Sequence, residues 1–355
     1  MIVNSAELGA YRVLRSLLRP DVPHLHRQAV GAELDILSAE QRAWLVGRVL
    51  QERGSAWLLE HHRVGMVRLQ AHELSQLQVA AGRDLRRTLE ADALRRQLQP
   101  LLCGNGPQLL LLKGASIEQL VYPKGVMRPC IDVDVAVVPA QQPAVEAYFA
   151  ELGLVCIHRD KSGRTAHFGQ PSGGATLDLH LRLACPKRFP RYATLHHLEA
   201  AVARSTALAD GTRVLAQADA TLHLLVHLAA GLGGDLRHLA DAAQWLKVCV
   251  PDAGALAQTA SELGLARTLR AACTWLADLE PAITLTLLQA LGPGNAADSA
   301  LQNLQHRQVL ASYLRRGPAL TKPLSALTEL CTLDFPRGAL GLTAVTLADR
   351  LGRNG

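Results

Sequence analysis

Arg128-Pro-Cys-Ile-Asp-Val-Asp-Val-Ala-Val137 is the stretch that decides the fold. Apolar and polar side chains alternate through it, and Val and Ile dominate one of the two alternating sets, as in a half-buried strand closed by Pro139. In a strand, residues i and i+2 point to the same face. Asp132 and Asp134 therefore share one face, while Ile131, Val133 and Val135 share the other. Two carboxylates at that spacing repel, and partial burial adds a desolvation cost. A divalent cation between them removes both penalties, and hard oxygen ligands suit Mg²⁺.

Outward from this strand the pattern extends in both directions. Upstream, the turn cluster at 103–107 leads into QLLLLKGAS (108–116), a short apolar run that predicts a buried strand ending at Lys113-Gly114. ASIEQLVYP (115–123) fits a short helix stopped by Pro123. Downstream, 140–153 suits a helix, and LVCIHRD (154–160) with RTAHFGQ (164–170) reads as a hairpin around Ser162-Gly163. ATLDLHLRL (175–183) is a further period-two strand, with Leu177, Leu179, Leu181 and Leu183 on one face and Asp178, His180 and Arg182 on the other. If it lies beside the Asp132/Asp134 strand, three carboxylates converge, which is what two-metal phosphoryl chemistry requires.

The flanks are helical. AEQRAWLVGRVLQERG (39–54) and the stretch 63–102 carry apolar residues at three- and four-residue spacing, the second long enough to predict a break near Gly82. Helical spacing returns at 194–207, 217–232, 235–250, 254–276, 281–291 and 298–315. The expected architecture is α+β: an N-terminal helical region (1–105), a small mixed-sheet core (106–186) and a C-terminal helical domain (187–355). His223 and His227 lie one turn apart and read as packed histidines, since no third metal ligand stands near them in sequence.

Composition excludes several classes. With 49% apolar and 19% charged residues, the chain has enough apolar side chain for a large core, so a disordered or fibrous protein is excluded. The net charge of +6 comes from 37 basic against 31 acidic residues. Thirty-one of the basic residues are Arg and six are Lys, the first of them Lys113. An Ala-, Leu- and Arg-rich composition of this kind looks like that of a GC-rich bacterial genome. No Lys/Arg run exceeds two residues and aromatics make up 4%, so neither a basic stripe nor a base-stacking platform is present. Seven cysteines without a C-x-x-C pair support neither a zinc ribbon nor a disulfide framework. No leader and no span of ~20 apolar residues is evident, so a cytoplasmic, non-membrane protein is expected.

In order along the chain, KGAS (113–116), VYP (121–123), RPCIDVDVAV (128–137) and LDLHLRL (177–183), followed by TLHLLVHLAAG (221–231) and LRHLADAAQWL (236–246), are similar to a set of motifs already known. They resemble an uncharacterised bacterial nucleotidyltransferase family of the DNA polymerase beta-type superfamily, over roughly residues 40–250. The resemblance implies a polymerase beta-like core that moves a nucleoside monophosphate from an NTP, ATP foremost, to an acceptor hydroxyl. It makes Asp132, Asp134 and Asp178 the catalytic carboxylates and the ligands of Mg²⁺ or Mn²⁺. Gly114 falls where the superfamily keeps a glycine at a helix N-terminus facing the NTP phosphates. The superfamily's Gly-Ser pair is replaced by Lys113-Gly114, with Ser116 two residues on, so Lys113 takes over as phosphate contact and Arg128 joins it. His180 and Arg182 are the candidate substrate contacts. The expected acceptor is a small molecule or a peptide or protein hydroxyl, with nucleic acid disfavoured by the dispersed charge. The rival expectation is a catalytically silent nucleotide-binding or scaffold protein that retains the fold.

Overall fold

The computed structural model describes residues 32, 34–104, 107–122, 128–160, 163–230 and 236–293. The predicted helix at 298–315 lies outside them. The described residues form two compact units, 34–183 with 194–220, and 184–193 with 221–293.

The first unit opens with helices α1 (Ala39–Gln51), α2 (Ser55–Arg63), α3 (Ala71–Gln97) and α4 (Gln99–Cys103). Ser38 starts α1 with a capping box: its Oγ accepts from Gln41 N at 3.2 Å, and its N donates to Gln41 Oε1 at 2.7 Å. The break expected near Gly82 does not occur. Helix α3 runs through that glycine, and the interruption falls at Leu98, just ahead of Pro100, which has no N–H to continue the ladder. A mid-helix glycine costs only about 1 kcal/mol, less than the tertiary packing of a long amphipathic face supplies.

A seven-stranded mixed sheet follows. Its strands are β1 (Leu110–Leu111), β2 (Asp132–Ala136), β3 (Val155–Arg159), β4 (Thr165–Gly169), β5 (Thr176–His180), β6 (Thr206–Ala207) and β7 (Arg213–Val214), in the order β3-β4-β5-β2-β1-β7-β6. Pairs β2/β5 and β1/β7 are parallel and the others antiparallel. Three helices are interleaved: α5 (Lys113–Val121), α6 (Gln142–Glu151) and α7 (Leu195–Arg204). The predicted hairpin forms as β3/β4. Residues 206–207, expected as the end of a helix, instead begin the β6/β7 hairpin, whose turn holds Gly211 at φ +85°.

Alternation along the central strands separates core from site. Val133, Val135, Leu177, Leu179, Ala166 and Phe168 are buried against Leu94, Leu98 and Leu102 of α3–α4 and Val145 and Phe149 of α6. Phe149 meets Phe168 edge-on, with ring centroids 5.1 Å apart. The opposite set on the same strands carries the polar residues.

The second unit is helical, with most of α8 (Gln217–Ala230), then α9 (Leu236–Val248), α10 (Ala253–Glu262), α11 (Ala266–Leu276) and α12 (Pro281–Ala290). Trp245 Nε1 donates to Thr221 Oγ1 at 2.8 Å, satisfying the indole inside the bundle. His223 is buried, with Nδ1 3.3 Å from the Tyr192 hydroxyl, and His227 packs edge-on against His238. No helix among the described residues is long and apolar enough to cross a membrane.

Candidate active site

Strands β2 and β5 lie side by side with Asp134 directly opposite Asp178 and Ala136 opposite His180. The pairing follows from burial. Val133/Val135 and Leu177/Leu179 must both face the helices, so in this register Asp134, Asp178 and His180 share the other face. One ligand atom from each of these three lies within 4.8 Å of the other two, and among the described residues this is the one group of three or more metal-ligating side chains so arranged. Asp132 shares the face but stands outside that group, at the first position of β2.

Lys113 closes the cluster from the β1–α5 junction. Leu112 N donates to Asp134 O at 2.9 Å, which seats the junction against β2. Lys113 Nζ then lies 2.7 Å from Asp134 Oδ1 and 3.4 Å from His180 Nε2, and that Nε2 is 2.8 Å from the same Oδ1. Burial alone would raise the Asp134 carboxyl. The Lys113 charge and the hydrogen bonds from His180 and Lys113 outweigh it and hold the group well below the usual carboxylate range. His180 is lowered too, by different causes: burial and the Lys113 charge outweigh its bond to Asp134 and depress it, which favours the neutral ring. A neutral imidazole has one N–H, and the shorter contact assigns it, so His180 Nε2–H donates to Asp134 rather than accepting from Lys113. Lys113 adopts φ +43°, a left-handed backbone rarely taken outside glycine.

The other predicted residues fall around this centre. Ser116 Oγ donates to Lys113 O at 2.8 Å, so the serine braces the lysine's backbone. Arg128 is buried, and its guanidinium lies over Gly114, where an added Cβ would sit 2.5 Å from Arg128 Nη1. An added Cβ would oblige the buried guanidinium to shift. Gly114→Ala is expected to displace the guanidinium and to destabilise the protein by about 1–3 kcal/mol, as overpacking does. Urea midpoints of the two proteins check this, and an unchanged midpoint would contradict it. Arg182 follows the end of β5 and is half-buried, in a segment of bends where a longer strand was predicted.

Two features were not anticipated from the sequence. The first is the Lys113–Asp134 pair, since Lys113 was expected on phosphate. The second is His167 of β4, opposite Asp178, with Nδ1 2.5 Å from Asp178 Oδ1. Its signal was present in RTAHFGQ, where His167 alternates with Ala166 and Phe168. Cys130, buried beside β2, has its thiol pushed up to about 12 by burial and is chemically quiet.

No curated protein and no solved structure matches the chain. A family model described as "Uncharacterised nucleotidyltransferase" matches residues 34–279, which span the whole sheet, the carboxylate face and Lys113. With most of its length inside that match, the chain belongs to this family of nucleotidyltransferases.

Proposed function

We propose that the protein transfers a nucleoside monophosphate from an NTP, with ATP the expected donor, to a hydroxyl on a small molecule or on a peptide or protein, releasing pyrophosphate. The observation that carries this reading is the facing of Asp134 and Asp178 across parallel strands, with Lys113 at the mouth of the same face. The donor set suits Mg²⁺ or Mn²⁺: two carboxylates supply hard oxygen, and Asp134 is a buried anion already requiring a cation beside it. Asp134 and Asp178 hold the ion, with Asp132 on the same face as a further ligand. When bound, such an ion lowers the pKa of the acceptor hydroxyl and neutralises charge building on the triphosphate.

The chain's own groups do the rest. Asp178 stands ready to take the acceptor's proton. His180, neutral, donates to Asp134 and fixes the orientation of its carboxylate, an outer partner rather than a ligand. Lys113 and Arg128 flank Gly114 at the N-terminus of α5 and present positive charge to the triphosphate, while Ser116 supports the Lys113 backbone. Arg182 is assigned to the substrate, beyond the end of β5. The reaction belongs to the α/β core expected over 106–186.

The acceptor class rests on charge and composition. Basic residues are dispersed and aromatics scarce, so a salt-dependent affinity for tRNA is not expected. The test is incubation of the protein and a cell extract with each α-labelled NTP and Mg²⁺ or Mn²⁺. Label is expected on a small molecule or protein, in step with pyrophosphate release. Label confined to RNA would contradict the acceptor assignment, and silence with all four nucleotides would contradict the transfer itself.

A further inference from the structure

The polar face of the sheet does not end at Asp178. The paired positions run His158, His167, Asp178 and Asp134 across β3, β4, β5 and β2, one residue from each strand in a single row. His167 is pinned to that row by its neighbours, since Ala166 and Phe168 are buried on the core side and turn the intervening side chain outward. Its ring lies 5.7 Å from that of His158. A carboxylate accepts hydrogen bonds, so at 2.5 Å His167 Nδ1 is the donor and Asp178 Oδ1 the acceptor.

We infer that His167 is a positioning residue for Asp178: its Nδ1–H takes up one carboxylate oxygen and fixes the side-chain rotamer, leaving the other oxygen for the cation. The inference rests on the metal site proposed above. Asp178 is partly exposed, and its partner across the strand pair, Asp134, repels it. Without a donor on its other side, the carboxylate would be free to turn away from Asp134. Asp134 is held by Lys113, from the β1–α5 junction beyond β2, and by His180, two residues along β5 from Asp178. The two carboxylates are thus each tied by a histidine, and hydrogen-bonded outer partners of this kind tune metal ligands strongly.

Mn²⁺ alone is the probe, titrated into nucleotide-free protein and followed by the electron paramagnetic resonance signal of free Mn²⁺. His167→Ala is expected to weaken Mn²⁺ binding about ten- to a hundredfold while the thermal midpoint stays near wild type, because the ring is half-exposed. His167→Asn places an amide N–H close to where Nδ1–H stood and is expected to restore most of the affinity. His167→Gln, whose amide reaches the Nε2 position, is expected not to. Wild-type affinity in His167→Ala, or no recovery in His167→Asn, would overturn the inference. Asp134→Asn and Asp178→Asn separate this from the underlying reading. If both bind Mn²⁺ as wild type does, the metal site itself is misplaced, whatever His167 does.

Discussion

Asp134→Asn is expected to reduce pyrophosphate release at least about 10³-fold, the scale of removing a preorganised electrostatic element from a reacting centre, while leaving a folded protein. Asp134 is the point on which the site converges. It is buried, it faces Asp178, and it accepts from both Lys113 and His180. Its carboxyl is held well below the usual range by the Lys113 charge and by the His180 and Lys113 hydrogen bonds, against the opposing effect of burial. Asn is chosen because its amide oxygen still accepts from Lys113 and its volume is unchanged. It removes charge without opening a cavity. Asp134→Ala removes the one oxygen that accepts both bonds and strands an ammonium against a buried imidazole, so it is expected to lose about 3–5 kcal/mol as well, the usual cost of breaking a buried ion pair from one side. Turnover read beside a thermal melt separates the two effects. A folded Asp134→Asn protein with near-normal turnover would remove Asp134 from the site.

Lys113→Met has a second large effect, and its signature depends on the metal. In metal-free protein the substitution leaves the Asp134 carboxylate buried with no countercharge from Lys113, and burial as the remaining cause that depresses His180. The expected loss is about 3–5 kcal/mol, a fall in thermal midpoint on the order of 10 °C. Millimolar Mg²⁺ or Mn²⁺ is expected to recover much of that fall, because a cation bound only to the native state stabilises it by mass action. The same addition should raise the wild-type midpoint less, since there the ammonium already occupies the neighbourhood of Asp134. Turnover is expected to fall about 10²-fold or more with the cation present, through loss of charge at the triphosphate. Differential scanning calorimetry with and without Mn²⁺ reads the first part and a pyrophosphate assay the second. A midpoint equally insensitive to Mn²⁺ in both proteins would sink the account of Lys113. The left-handed backbone at Lys113 belongs to the same picture. Strain of about 1–3 kcal/mol persists where surroundings fix the residue, and here the Asp134 pair, the Leu112–Asp134 hydrogen bond and Ser116 all do so.

What could be read from sequence follows from the range of the interactions. Alternation is local, so RPCIDVDVAV and TLDLHL announced their own faces, and with them Asp132/Asp134 and Asp178/His180 as matched polar sets. The register between them is not local. The facing of Asp134 with Asp178 joins residues 44 positions apart through a parallel pairing, and the sequence supplied only the condition under which they would meet. His167 was hidden for the same reason. Its place on the polar face was implicit in A-H-F, but its value comes from Asp178 in the next strand. Strands β6 and β7 have two residues each, too few for any period to register. The positive φ of Lys113 left no trace, because such conformations are signalled by glycine or asparagine and not by lysine. Gly114 was expected at a helix N-terminus facing the NTP phosphates, and in the structure the group lying over it is Arg128's guanidinium.

The most direct test of the central claim compares ATP labelled at the α-phosphorus with ATP labelled at the γ-phosphorus, in wild-type protein and in Asp134→Asn. With Mn²⁺ and an accepting extract, α-label is expected to become attached to the acceptor while γ-label leaves in pyrophosphate, and both signals should vanish in Asp134→Asn. Transfer of γ-label to the acceptor, or undiminished α-label in the variant, would contradict nucleotidyl transfer at this carboxylate face.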